Sequence, residues 1–171
     1  MPALHHSRLR IATLMLCSLS AIVMAAQPQT EAGPFVASAT QAGLMEIEAA
    51  RVALEKSKNA DVRAFATRMI ADHGKTNEEL KAIAAHKSIP VPSSLDSEHT
   101  KMLKPLREAS SGAFDKTYAT RMVADHAAAV ELFQANVVHP DSELSAFAAR
   151  TLPALQEHKR LADNLRANLG K

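Results

Sequence analysis

The stretch Phe65-Ala66-Thr67-Arg68-Met69-Ile70-Ala71-Asp72-His73 decides the fold, and it returns almost unchanged as Tyr118-Ala119-Thr120-Arg121-Met122-Val123-Ala124-Asp125-His126. In both copies, steps of three and four residues pass through apolar side chains and end on a histidine: Ala66, Met69, His73 and Ala119, Met122, His126. That spacing follows one face of an α-helix. A third segment, Ala146-Phe147-Ala148-Ala149-Arg150, echoes Ala64-Phe65-Ala66-Thr67-Arg68. Two accounts fit the repetition: helices that meet the same packing problem with the same residues, as bundle core layers do, or an ancestral duplication.

Outward from these segments the chain divides into four long helical stretches. The first runs from about Phe35 to Ser57, and Asn59 ends it and caps the next. The second spans about Ala60 to Lys87 and stops before Ile89-Pro90. Leu95 to Ala109 reads as a connecting helix that contains Pro105. The third long helix covers about Ala113 to Val137, and His139-Pro140-Asp141-Ser142 is a tight turn. The fourth covers about Ser142 to Leu169, with Pro153 expected to bend it. Two short turns and one long middle connection predict two helical hairpins joined by a crossover with a short helix. This is the ferritin-like four-helix arrangement, all-α, at residues 35–171.

Composition agrees. The 171 residues suit one domain. The chain is 47% hydrophobic, but it has no Trp, one Tyr and only five Gly. Ala-rich, aromatic-poor sequences favour closely packed helices over sheets.

The N-terminus reads differently. Arg8 and Arg10 precede the uncharged, mostly apolar run Ile11 to Ala26, which ends in small residues suited to cleavage after Ala25 or Ala26. That is the layout of a secretory signal peptide at residues 1–26, followed by a polar linker at 27–34. The run is shorter than the roughly 20 residues of a membrane-spanning helix, so no stable span is expected after cleavage. The expected location is periplasmic or secreted. Cys17, the only cysteine, leaves with the signal, so neither disulfides nor thiolate ligands are expected. Loss of Arg8 and Arg10 lowers the basic count from 20 to 18, against 18 acidic residues. A near-neutral domain without a basic, aromatic-laced stripe does not suit nucleic acid. Expected partners are a second copy or another envelope protein.

Each long helix carries one ionisable residue on its apolar stripe: Glu46 among Phe35, Ala39, Ala42, Ala49 and Ala53, and then His73, His126 and His158. Glu48 falls instead with Gln41, Arg51 and Glu55 on a wet face. Asp72 is expected to pair with Arg68 or Lys75 on the surface, and Glu157 lies toward an edge. Glu46, His73 and His126 are expected at similar depth, with His158 about one turn away. A buried carboxylate needs a donor, a cation or a proton. The first reading is a polar Glu/His network that fixes helix register. The alternative is a site for one transition metal, Fe, Mn, Zn or Cu, held by Glu46, His73, His126 and His158 with Asp125 as a spare ligand. His86, His99 and His139 read as solvated. No Ser or Thr beside a stripe histidine suggests a nucleophile, so the reading leans away from an enzyme.

Several motifs together resemble a known bacterial family. They are Phe35-Val36, Gly43-Leu44-Met45-Glu46-Ile47-Glu48, Val62-Arg63-Ala64-Phe65-Ala66 and Met69-Ile70-Ala71-Asp72-His73. They continue with Phe114-Asp115-Lys116-Thr117-Tyr118, Val123-Ala124-Asp125-His126, Glu143-Leu144-Ser145-Ala146-Phe147-Ala148 and Thr151-Leu152-Pro153-Ala154-Leu155-Gln156-Glu157-His158. The family is catalogued as domain of unknown function 4142. The resemblance implies a ferritin-like bundle and an exported location, and it implies no activity. Di-iron members of the wider ferritin-like class use Glu-x-x-His pairs. Here Ile70 and Leu155 stand three residues before His73 and His158, so a di-iron carboxylate centre is not expected. Function is therefore read as a non-enzymatic binding or envelope stress-related protein, with a metal-binding, redox-capable protein as the alternative.

Overall fold

The structure is a computed structural model that describes residues 29–170. The signal segment 1–26, with Cys17 and the cleavage positions, lies outside the described residues. Six helices occur in the described part: α1 (Gln29–Lys56), α2 (Ala60–His86), α3 (Ser97–Met102), α4 (Lys104–Glu108), α5 (Ser111–Asn136) and α6 (Ser142–Leu169).

Local chemistry explains most of the boundaries. The Asn59 side chain accepts from the amides of Asp61 and Val62 at 2.9 and 3.1 Å, and so starts α2. Asp141 does the same for α6 through Glu143 and Leu144, at 3.0 and 3.1 Å. At the end of α2, Ser88 takes a left-handed conformation (φ 55). The Ile89 amide then reaches back to the Ala84 carbonyl at 2.9 Å, and Ile89 is buried. This is a Schellman termination with its apolar contact.

Two expectations need correction. Helix α1 begins at Gln29, inside the segment expected to be a linker up to Pro34. Pro34 lies near enough to the helix start that little of the hydrogen-bond ladder is lost. The extra turn also buries Ala32 against Phe35 and Val36. The connection, expected to hold one helix, holds two, α3 and α4, broken at Leu103. Pro105 has no amide for the Lys101 carbonyl and crowds it, so one helix cannot run through. Leu103 and Leu106 are buried in the break and anchor the segment.

Helices α1 and α2 form one hairpin and α5 and α6 the other, with α1 packed on α5 and α2 on α6. The connection from α2 to α5 returns along the length of the bundle, which makes the arrangement ferritin-like. Gln41 holds it to α1: its Nε2 donates to the Ser94 carbonyl at 3.0 Å, and its Oε1 accepts from the Asp96 amide at 3.2 Å. Gln41 is therefore buried, not on a wet face as its position beside Glu48 and Arg51 suggested. Glu48 and Arg51 do form a surface pair.

The interior is two apolar cores. One contains Met45, Ala49, Phe65, Tyr118, Met122 and Leu165. The other contains Val36, Leu80, Phe133, Leu144, Phe147 and Leu155. Each draws on all four long helices, and each fully buried large side chain contributes about 1.5–3 kcal/mol. Between them lies a polar layer of Glu46, His73, His126 and His158, all buried.

Candidate metal centre

The apolar periodicity of α2, α5 and α6 turns His73, His126 and His158 inward at the seam between the two cores. The three imidazole rings stand at nearly equal spacing, with centroids 5.5 Å (His73–His126), 5.4 Å (His73–His158) and 5.4 Å (His126–His158) apart. His158 is thus level with the others, not a turn away. It lies further along α6 from the α5–α6 turn than His126 does along α5, so the turn is staggered, and counting residues from it misplaced the ring.

One ring nitrogen from each histidine lies within 4.8 Å of the other two. The Nε2 atoms of His73 and His126 are 3.4 Å apart. Two nitrogens on a tetrahedral centre, each about 2.0–2.1 Å from the ion, are separated by about 3.3–3.4 Å.

The outer nitrogens are fixed by the protein. His126 Nδ1 lies 2.9 Å from the Met122 carbonyl and must donate to it. The neutral ring therefore presents the Nε2 lone pair, and His73 Nε2–H supplies the proton for the contact between them. His158 Nε2 donates to Asp72 Oδ2 at 2.8 Å. That leaves His158 Nδ1 as an acceptor, buried and without a protein partner. A carboxylate or carbonyl on the far nitrogen is how metal-ligating histidines are oriented and made more basic.

Electrostatics keep the rings neutral. Burial, reinforced by the neighbouring imidazoles, lowers the His73 pKa to about 3. Burial lowers that of His126 to about 4, although the Met122 carbonyl opposes the shift. Burial also lowers His158, with Asp72 opposing. Burial pushes the Asp72 carboxyl up, but the hydrogen bonds from His158 and Arg68 together carry it below its usual value.

Glu46 and Asp125 do not join the three histidines. Glu46 Oε1 lies 3.7 Å from His126 Nδ1, the nitrogen facing away from the cluster. Both Glu46 oxygens are buried without a hydrogen-bond partner. Burial, and then the charge of Asp125, raise its carboxyl well above the usual range. Asp125 is paired with Arg121 at 2.5 Å. Among the described residues, the histidine trio is the one group of three ligand atoms close enough to hold an ion.

Asp72 pairs with Arg68 at 3.2 Å, as the i,i+4 spacing predicts. Its bond to His158 is what the sequence reading missed. Asp72 lies about 100° around the helix from His73, on the side that meets α6, and only the packing of α2 on α6 reveals the partner. His86 is exposed, as expected. His139, by contrast, is half-buried in its turn, where Nδ1 accepts from the Asp141 amide at 2.9 Å.

Fold and site together define a ferritin-like helical bundle with a trihistidine layer at mid-height. The chain belongs to the domain of unknown function family DUF4142, which it matches over residues 19–165. Among solved structures it is similar to the crystal structure of a DUF305 fragment from Deinococcus radiodurans. That match has a TM-score of 0.71 at 16% identity and covers 81% of this chain and 97% of that one. At that identity the likeness speaks to the fold alone. No curated protein matches the chain.

Proposed function

We propose that this protein is an exported metal-binding bundle that holds one transition metal ion through His73, His126 and His158. The observation that carries the reading is the pairing of three convergent, neutral imidazoles with outer partners that fix two of their tautomers. Three nitrogen ligands and no thiolate suit Zn, Cu or Fe, and suit Mn less, because Mn favours carboxylate oxygen. Three protein ligands leave a fourth position for water or another small ligand. The exported location rests on the charge and apolar pattern of residues 1–26. Among the described residues, no helix is long and apolar enough to cross a membrane.

A second reading has support in the 3.4 Å contact between His73 and His126: a hydrogen-bonded layer that sets helix register and binds no ion. The test expresses the full chain without an affinity tag and measures its metal content by elemental mass spectrometry. It is repeated after reconstitution with Fe, Mn, Zn and Cu, beside His126→Ala and His158→Ala. One metal per chain, lost in both variants, is expected. No metal from any reconstitution overturns the proposal and leaves the register reading. Intact mass of the exported product checks the location: it should lack residues 1–25 or 1–26.

A further inference from the structure

Beside the polar layer, between α1, α2, α5 and the returning connection, lies a cavity of about 150 Å³. His99 and Met102 of α3 close one side, and the walls are mostly apolar, Leu132, Phe133 and Leu155 among them. A cavity of this size accommodates about six non-hydrogen atoms, the size of benzene.

Two polar groups line it without protein partners. Both carboxyl oxygens of Glu46 are buried and unbonded, and so is the Asn77 Nδ2 donor. Neither placement is incidental. Asn77 rests on Gly43, where a Cβ would stand 2.3 Å from the Asn77 Oδ1, so the glycine makes room for the amide. A buried polar group left unmet costs about 1–3 kcal/mol.

The neighbouring charges limit what meets Glu46. Arg121, the nearby cation, is bonded through its Nε to Asp125, the other acid lining the cavity; its Nη2 is buried without a partner, but Arg121 does not line the cavity. His99, on the α3 side, gives its Nδ1 to Asp96 at 2.9 Å. An anion would face Glu46 and Asp125. A wholly apolar guest would leave Glu46 and Asn77 as they are. The acids and histidines that line the cavity, Glu46, His73, His99 and Asp125, do not bring three ligand atoms close enough together for a metal ion; among the described residues the close group of three is the histidine trio.

We infer that this cavity is a binding site for a small organic ammonium ion of about six non-hydrogen atoms that also carries an oxygen. Its N–H groups donate to Glu46, its oxygen accepts from Asn77 Nδ2, and its methylene groups lie against the apolar wall. Of the three proposed metal ligands His73 lines the cavity and His126 and His158 do not, and the groups that would hold the amine, Glu46 and Asn77, are not among those ligands, so the inference does not depend on a metal in the trihistidine layer.

Isothermal titration calorimetry of the full chain with 4-amino-1-butanol, in the presence of a chelator, tests it. The neutral probe 1,4-butanediol has the same number of non-hydrogen atoms and no charge. Expected are saturable binding of one amine per chain, binding at least tenfold weaker in Glu46→Gln, and no saturable binding of the diol. Ala42→Leu, which fills the cavity from α1, should abolish binding, whereas His158→Ala should retain it. No saturable heat with the amine overturns the inference. So does equal binding of amine and diol, or an affinity unchanged in Glu46→Gln. Because His158→Ala removes a metal ligand and leaves the cavity wall intact, failure of the metal site and failure of this one are told apart.

Discussion

Asp72 joins the surface to the interior. Its side chain is 42% exposed, yet it fixes the tautomer of His158, which is 2% exposed. Asp72→Ala should weaken Zn²⁺ binding about 10–100-fold, the usual effect of losing such a partner. Competition against a chromogenic chelator measures this, and unchanged affinity would remove Asp72 from the site. Glu46 makes a different prediction, in pH. Its folded pKa is raised above the unfolded 4.5. Its contribution to stability is thus present below pH 4.5 and lost as pH rises through the folded value. In metal-free urea unfolding, Glu46→Gln should gain on the wild type steadily above pH 4.5. The histidines act in the opposite sense. With folded values of about 3 for His73 and about 4 for His126, their contribution is intact above the unfolded 6.5. It declines as pH falls from there toward the folded values. Between pH 4.5 and 6.5 the two effects overlap with opposite sign and two histidines outweigh one carboxyl, so the stability of metal-free protein should rise with pH up to about 6.5 and not beyond, and a flat profile from pH 4 to 7 would contradict the burial of the histidines.

At the scale of elements, the termination of α2 offers a direct test. Ser88 holds a left-handed conformation that costs an L-residue about 1–2 kcal/mol and a glycine almost nothing. Ser88→Gly should raise stability by about 1 kcal/mol, less the added freedom of the unfolded chain, as read from the urea midpoint. Boundaries of this kind were legible in the sequence wherever the chemistry is local. Asn59 caps the helix that follows it, and α6 occupies Ser142–Leu169, directly after the turn at His139-Pro140-Asp141-Ser142, as the apolar spacing requires. The start of α1 was not legible, because Pro34 signals a break and only burial of Ala32 outweighs it. The inward turn of His73, His126 and His158 was legible from the 3.6-residue period. The separation of Glu46 from them was not, since it depends on how α1 leans against α5. Nor was the contact of Asp72 with His158, which crosses between helices and joins residues 86 apart in the chain.

Across the whole molecule, the polar layer is shared by the two cores, and each core takes residues from all four long helices. An ion bound there joins α2, α5 and α6 directly. Saturation at 100 times the Kd should add about 2.7 kcal/mol to unfolding, and amide exchange should slow on both sides of the layer together. Protection confined to one end would mean that the cores unfold independently. The composition also gives the molecule a built-in optical reporter. With no Trp and a single Tyr, ultraviolet emission excited to the red of the phenylalanine band arises from Tyr118 alone. That ring is fully buried in the core next to the polar layer, and Phe65 stands 6.2 Å from both it and His126. Paramagnetic Cu²⁺ in the layer should quench this emission and diamagnetic Zn²⁺ should not, so the unlabelled protein reports by its own light which ion it holds.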